Sequence, residues 1–95
     1  MPAPIDTTFQ QAVRLHKAGR LAEAERLYRT VLQAQPGHAD ASHNLGVLAV
    51  GVDKPLQALP LLQAALQAVP THAQYWVSYI DALIRAGQPD EARAV

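Results

Sequence analysis

The feature of this 95-residue sequence that most restricts its fold is an eight-residue pattern that occurs twice. The pattern Leu-Gln-Ala-Xaa-Pro-Xaa-His-Ala covers residues 32–39 and returns, 34 positions later, at residues 66–73. Three alanines, Ala24, Ala58 and Ala92, keep the same spacing. A fixed period of this length is typical of stacked-repeat proteins, in which no single unit can bury its apolar face alone.

Each period contains two segments with helical spacing of apolar residues, separated by glycine or proline. Thr7 and Gln10 form a capping box that predicts the start of the first helix. No segment alternates polar and apolar residues as a strand would. We therefore predict an all-α chain with a disordered N-terminus at 1–5 and a single domain at 6–95. Its six predicted helices are residues 7–18, 21–34, 39–51, 55–69, 73–86 and 89–95.

Pro60 lies inside the fourth predicted helix rather than at its first position. Proline has no backbone N–H, so it cannot bond to the carbonyl of Leu56 four residues earlier. The sequence therefore predicts a kink or a distorted first turn in this helix.

The helix-turn-helix unit of 34 residues resembles the tetratricopeptide repeat (TPR), whose pattern is W-x₂-L-G-x₂-Y, then A-x₃-F, then P. The three units would be residues 5–38, 39–72 and 73–95, and the chain is similar to the N-terminal TPR region of a larger bacterial-type protein. The resemblance implies an α-solenoid of about 2.7 repeats. Small residues should allow the two helices of a unit to approach closely. The matching residues are Ala24, Tyr28, Pro36, Leu45, Gly46, Ala58, Pro70, Trp76 and Ala92.

Composition argues against several classes of function. Eight basic and eight acidic residues cancel, so the chain has no basic surface for nucleic acid or an acidic membrane. No cysteine is present for a disulfide or a thiolate metal site. The start of the sequence lacks the pattern of a signal peptide, and its apolar runs are too short and interrupted to span a bilayer. We expect a cytoplasmic protein without a cofactor.

The polar residues do not form a pattern typical of an enzyme. His38 and His43 are five residues apart, a poor spacing for two ligands on one helix face. His38 and His72 occupy equivalent positions in their repeats, which favours a turn or capping role. Ser42 and Ser78 lack the glycine neighbours of a nucleophile elbow. We therefore predict that the chain is not an enzyme and binds no metal.

The resemblance implies that the first helix of each unit lines a concave groove that binds a protein or peptide. The second and third units also carry an additional apolar stripe on these helices, which either lines the groove or is buried between neighbouring helices. The Lys and Asn residues with which some TPR proteins hold a C-terminal carboxylate are matched only by Asn44. The predicted groove residues are Phe9, Val13, His16, His43, Asn44, Val47, Val50, Gln74, Val77, Ser78, Asp81, Ile84 and Arg85.

The leading hypothesis is a noncatalytic interaction or scaffold module that binds a helix or an extended peptide. The alternative is the recruiting or dimerising N-terminal region of a larger TPR-fused glycosyltransferase or sulfotransferase. Trp76, Tyr79 and Leu83 add apolar surface at the C-terminal side of the repeats. We therefore expect a homo-oligomer, most simply a dimer, formed through the C-terminal end or through the groove.

Overall fold

The computed structural model describes residues 4–87, which form five consecutive α-helices. The helices are α1 (Ile5–Lys17), α2 (Leu21–Ala34), α3 (Ala39–Gly51), α4 (Pro55–Ala68) and α5 (Ala73–Gly87). Helices α1 and α2 pack as one pair, α3 and α4 as the next, and α5 packs against both α4 and α3. The all-α prediction is confirmed for the described residues, and the predicted sixth helix at 89–95 lies outside them.

The repeat period is visible in the turns. Gly19, between α1 and α2, has φ +81°, and Asp53, one period later between α3 and α4, has φ 64°. Both turns close with equivalent backbone hydrogen bonds, from Arg20 to Leu15 (2.9 Å) and from Lys54 to Ala49 (2.8 Å). Glycine adopts this left-handed conformation at no steric cost, and aspartate tolerates it better than most residues.

The helix boundaries agree closely with the prediction except at the N-terminus. The predicted capping box at Thr7 and Gln10 is wrong, because α1 begins at Ile5 with Pro4 at its N-cap. The hydroxyl of Thr8 donates to the Pro4 carbonyl instead. Ile5, which we expected in the disordered segment, packs partly buried against the core. Apolar packing of this first turn therefore extends the helix beyond the predicted start.

Gly46 explains how α3 and α4 approach each other. A Cβ atom at this position would lie 2.6 Å from Cδ2 of Leu62, which is fully buried, and 3.4 Å from the carbonyl of Ala58. Real side chains do not approach that closely, so only glycine fits without displacing Leu62. The prediction that Gly46 and Ala58 permit a close helix contact is confirmed.

Helix α4 continues through Pro60 without interruption. The proline is exposed, and Leu56, whose carbonyl has no amide four residues later to bond, is also exposed. Water can therefore satisfy that carbonyl, which explains how the helix accommodates the proline. The predicted kink stays a prediction.

Candidate protein-interaction surface

The first helices of the repeats form one side of the molecule. Within residues 4–87, α3 contacts both α1 and α5, whereas the second helices α2 and α4 make no contact with each other. An array whose helices touch along one row and separate along the other curves with the touching row inside. The concave side is therefore formed by α1, α3 and α5.

A recess of about 80 Å³ lies between α3 and α5 on this side. Val47 and Val50 of α3 line one wall, Ser78 and Asp81 of α5 line the other, and Leu62 of α4 also contributes to the lining. Leu62 is fully buried, while Val47 keeps 37% of its surface exposed. The recess is mainly apolar and has a polar edge.

His43 is buried beside this recess, with only 8% of its surface exposed. Its Nε2 lies 2.7 Å from the Ser78 hydroxyl, and its Nδ1 lies 3.1 Å from Oδ1 of Asn44. The amide oxygen can only accept, so Nδ1 carries the proton, and in the neutral ring Nε2 accepts from the Ser78 hydroxyl. Burial lowers the pKa of His43, more than the Asn44 contact raises it, and this favours the neutral ring.

Tyr75 of α5 packs against one face of the His43 ring. The two rings stack with centroids 4.7 Å apart, and Tyr75 also stacks on His72 at 3.9 Å. The Tyr75 hydroxyl donates to the carboxylate of Asp40 at the start of α3. Burial and this hydrogen bond both raise the pKa of Tyr75, so the phenol stays protonated. These contacts hold the N-terminal halves of α3 and α5 together.

The α1 part of the concave side is packed against the core. Phe9 lies against Tyr28, at a centroid distance of 6.1 Å, and against His38 at 4.9 Å. His16 Nδ1 is 3.0 Å from the Tyr28 hydroxyl, and burial lowers the pKa of His16. Val13 also packs against buried core residues of α1, α2 and α3. These three residues of α1 are thus half-buried, whereas Val77 and Ile84 of α5 are exposed.

The predicted groove residues differ in how accessible they are. His43 is buried, and its contacts are within the protein. Seven others are half-buried, and the remaining five are exposed. Which of them contact a partner stays a prediction. The half-buried residues are Phe9, Val13, His16, Asn44, Val50, Ser78 and Asp81, and the exposed ones are Val47, Gln74, Val77, Ile84 and Arg85.

Sequence reasoning missed the stack of His43, Tyr75 and His72 and its hydrogen bond to Asp40. A weak signal was available, since His72 and Tyr75 are three residues apart at the start of a helix, where side chains meet. The capping role proposed for His38 is confirmed, because its Nδ1 accepts from the Ala41 amide at 3.0 Å.

Three further observations concern the described residues outside the concave side. A larger open cavity of about 320 Å³ lies at the start of α4, between residues 53–57 and Ala86, and none of the predicted groove residues lines it. Among residues 4–87, no group of three or more His, Asp or Glu side chains is placed to hold a metal ion. Within the same range, no helix has the length and apolar character needed to cross a membrane.

Comparisons with known proteins agree with this architecture. Two sequence models described as "Tetratricopeptide repeat" match residues 9–51 and residues 49–95. Of the solved structures, 41 chains match, and one is described as "MamA RS-1 ArsTM double mutant". It is 23% identical with a TM-score of 0.75, and the match covers 90% of this chain and 56% of that chain. This chain therefore spans just over half of the neighbour's length, and the likeness shows the fold alone. No curated protein matches the sequence.

The two family matches overlap at residues 49–51 and together extend from residue 9 to residue 95. Their extent agrees with the turn geometry that recurs from Gly19 to Asp53 and with the close contact at Gly46. The chain belongs to the tetratricopeptide repeat family.

Proposed function

We propose that this chain is a noncatalytic protein-interaction module that binds a helix or an extended peptide on the concave side of α1, α3 and α5. The observation that carries the proposal is exposed apolar surface beside the recess between α3 and α5. Val47, Val77 and Ile84 are 37%, 58% and 56% exposed. Large apolar side chains grouped in this way commonly mark a binding site.

Polar side chains of α3 and α5 would orient the partner. Asn44 is half-buried and has an amide that can donate as well as accept, which suits a peptide backbone. Asp81 and Arg85 form an exposed ion pair at 2.9 Å at the edge of the same surface. Either charge can exchange its intramolecular partner for a polar group of the ligand at small cost, because exposed ion pairs are weak.

His43 would position this surface instead of contacting the partner. Its two hydrogen bonds hold the side chains of Asn44 on α3 and Ser78 on α5. A groove whose polar groups are already ordered loses less entropy when a peptide binds. The recess of about 80 Å³ has room for one small aliphatic side chain, so the favoured ligand places an Ala, Val or Leu there.

The proposal is tested by selecting binders from a phage-displayed library of random 15-residue peptides against the 95-residue chain. The affinity of each selected peptide is then measured for the unchanged chain, for the Val47→Glu variant and for the control variant Leu56→Glu. Leu56 is 71% exposed on α4, outside the concave side, so the same chemical change is made away from the groove.

We expect Val47→Glu to weaken binding at least tenfold, because it places a charge on apolar contact surface, and Leu56→Glu to leave it unchanged. Circular dichroism verifies that both variants fold. Peptides that bind both variants equally, or a library that yields no binder, would contradict the proposed function.

A further inference from the structure

Both polar side chains that line the recess between α3 and α5 present hydrogen-bond acceptors. Five residues line the recess, and of these Ser78 and Asp81 are polar and half-buried, whereas the other three are aliphatic. All five lie beyond the first turn of their helices, so their backbone amides are bonded within the helices. A ligand in the recess therefore meets apolar walls and two side chains whose hydrogen-bonding roles decide what it can be.

His43 determines the role of Ser78. Its Nδ1 faces the amide oxygen of Asn44 at 3.1 Å and so carries the ring proton, and in the neutral ring Nε2 accepts from the Ser78 hydroxyl at 2.7 Å. Burial lowers the pKa of His43 below the usual 6.5, so the ring is neutral at pH 7. A serine hydroxyl has one proton, and here that proton is directed at His43. Towards any other group the Ser78 oxygen can therefore only accept.

Asp81 adds a carboxylate beside this oxygen. It follows Ser78 by three residues, a spacing that places the two side chains next to each other on one face of α5. Its two carboxylate oxygens accept from Nε of Arg85, at 2.9 and 3.1 Å. Arg85 is exposed and is not one of the five lining residues. Because exposed ion pairs are weak, a cation in the recess can compete with Arg85 for the carboxylate.

The repeat period indicates that a following helix leaves these positions accessible. One period before Ser78 and Asp81 are Asn44 and Val47 of α3. Helix α4 packs on α3, yet Asn44 is only half-buried and Val47 keeps 37% of its surface exposed. A helix that packed on α5 in the same way would leave the recess open.

We propose that the recess binds a primary ammonium group, carried by the N-terminus of a peptide or by a lysine side chain. The inference rests on the proposed function and specifies the chemistry of its ligand. An ammonium group has three donors and a compact charge, so it can donate to Ser78 and Asp81 together. The carbon atoms attached to the nitrogen would pack against the aliphatic walls. The exposure of Val47 keeps the mouth of the recess in contact with water, which limits the cost of desolvating the charge.

Titration of the ¹⁵N-labelled chain with three small probes at pH 7 tests the proposal. Alanine amide has a free α-ammonium group, Nα-acetyl-lysine amide has only a side-chain ammonium group, and N-acetyl-alanine amide has neither. At least one ammonium probe should shift the amide signals of Ser78 and Asp81, with a dissociation constant on the order of millimolar. N-acetyl-alanine amide should bind at least tenfold more weakly. The tighter of the two ammonium probes identifies the source of the group.

Two substitutions on α5 should change the affinity for the tighter ammonium probe in opposite directions. Asp81→Asn keeps the shape of the side chain but removes its charge, and should weaken binding at least fivefold. Arg85→Ala removes the competing cation, and should strengthen binding about two- to fivefold. Asp6→Asn, at an exposed residue of α1, is the matched control and should leave the affinity unchanged. Circular dichroism verifies that all three variants fold.

Three results would each overturn the proposal. Neither ammonium probe shifts the signals of Ser78 and Asp81, N-acetyl-alanine amide binds as tightly as the better ammonium probe, or Arg85→Ala weakens binding as Asp81→Asn does. These titrations use no library-selected peptide. The concave side can therefore bind selected peptides while the ammonium probes fail, so the two proposals can fail separately.

Discussion

Gly46→Ala tests how closely α3 and α4 approach each other. The added Cβ would lie 2.6 Å from Cδ2 and 2.7 Å from Cγ of Leu62, which has no exposed surface. Replacing glycine by alanine inside a helix normally stabilises it by up to about 1 kcal/mol. Forcing a methyl group into a packed core costs about 1–3 kcal/mol. We expect a net loss of about 1 kcal/mol in the free energy of unfolding.

Gly51→Ala is the matched control, because Gly51 ends the same helix and a Cβ there meets no atom within 4 Å. This control should be neutral or slightly stabilising. Leu62→Ala provides the second half of a double-mutant cycle. On its own it should cost about 2–5 kcal/mol by leaving a cavity.

In the Leu62→Ala background, Gly46→Ala should become neutral or stabilising, because the new methyl group enters space that Leu62 has vacated. The coupling between the two sites should reach about 1–3 kcal/mol. Urea denaturation followed by circular dichroism measures all four proteins, with m-values compared to verify two-state behaviour. If Gly46→Ala stabilised the otherwise unchanged protein as much as Gly51→Ala does, the close approach would be refuted.

Two further predictions concern Pro60 and the histidines His16 and His43. Pro60→Ala should raise the free energy of unfolding by about 1–3 kcal/mol, by restoring the amide that bonds to Leu56, whereas Pro55→Ala at the first helical position should change it little. The urea denaturation midpoints of the two variants measure this difference, and equal midpoints would contradict the prediction. Burial lowers the pKa values of His16 and His43 below the usual 6.5, so the unfolded chain binds protons more readily. Stability should therefore be constant above about pH 7 and fall as the pH drops below 6.5, and His43→Gln should reduce that fall. Urea denaturation midpoints at pH 7.5 and pH 5 measure this loss of stability, and a midpoint that does not change with pH would refute the prediction.

The sequence was sufficient to predict most of the fold, because the elements are bounded by residues with strong backbone preferences. Pro36 and Pro70 follow the ends of α2 and α4 by two residues, as the repeated pattern requires. Gly19 adopts the positive φ of its turn. Asp53 was not recognised as the equivalent of Gly19, since its backbone conformation is imposed by the turn and not by its side chain.

The candidate surface was harder to predict than the fold. Helical spacing indicates which residues share a stripe, but not what a neighbouring helix covers. His43 was grouped with Val47 by spacing, yet Tyr75 of another helix stacks on His43 and buries it.

The central claim is that the concave side of α3 and α5 binds a peptide, and NMR chemical-shift mapping tests it most directly. ¹⁵N-labelled protein is titrated with a library-selected peptide. We expect the largest shifts at the amides of Val47, Val50, Ser78 and Asp81, which line the recess. Shifts confined to the outer helices α2 and α4, with the α3 and α5 amides unmoved, would contradict the account.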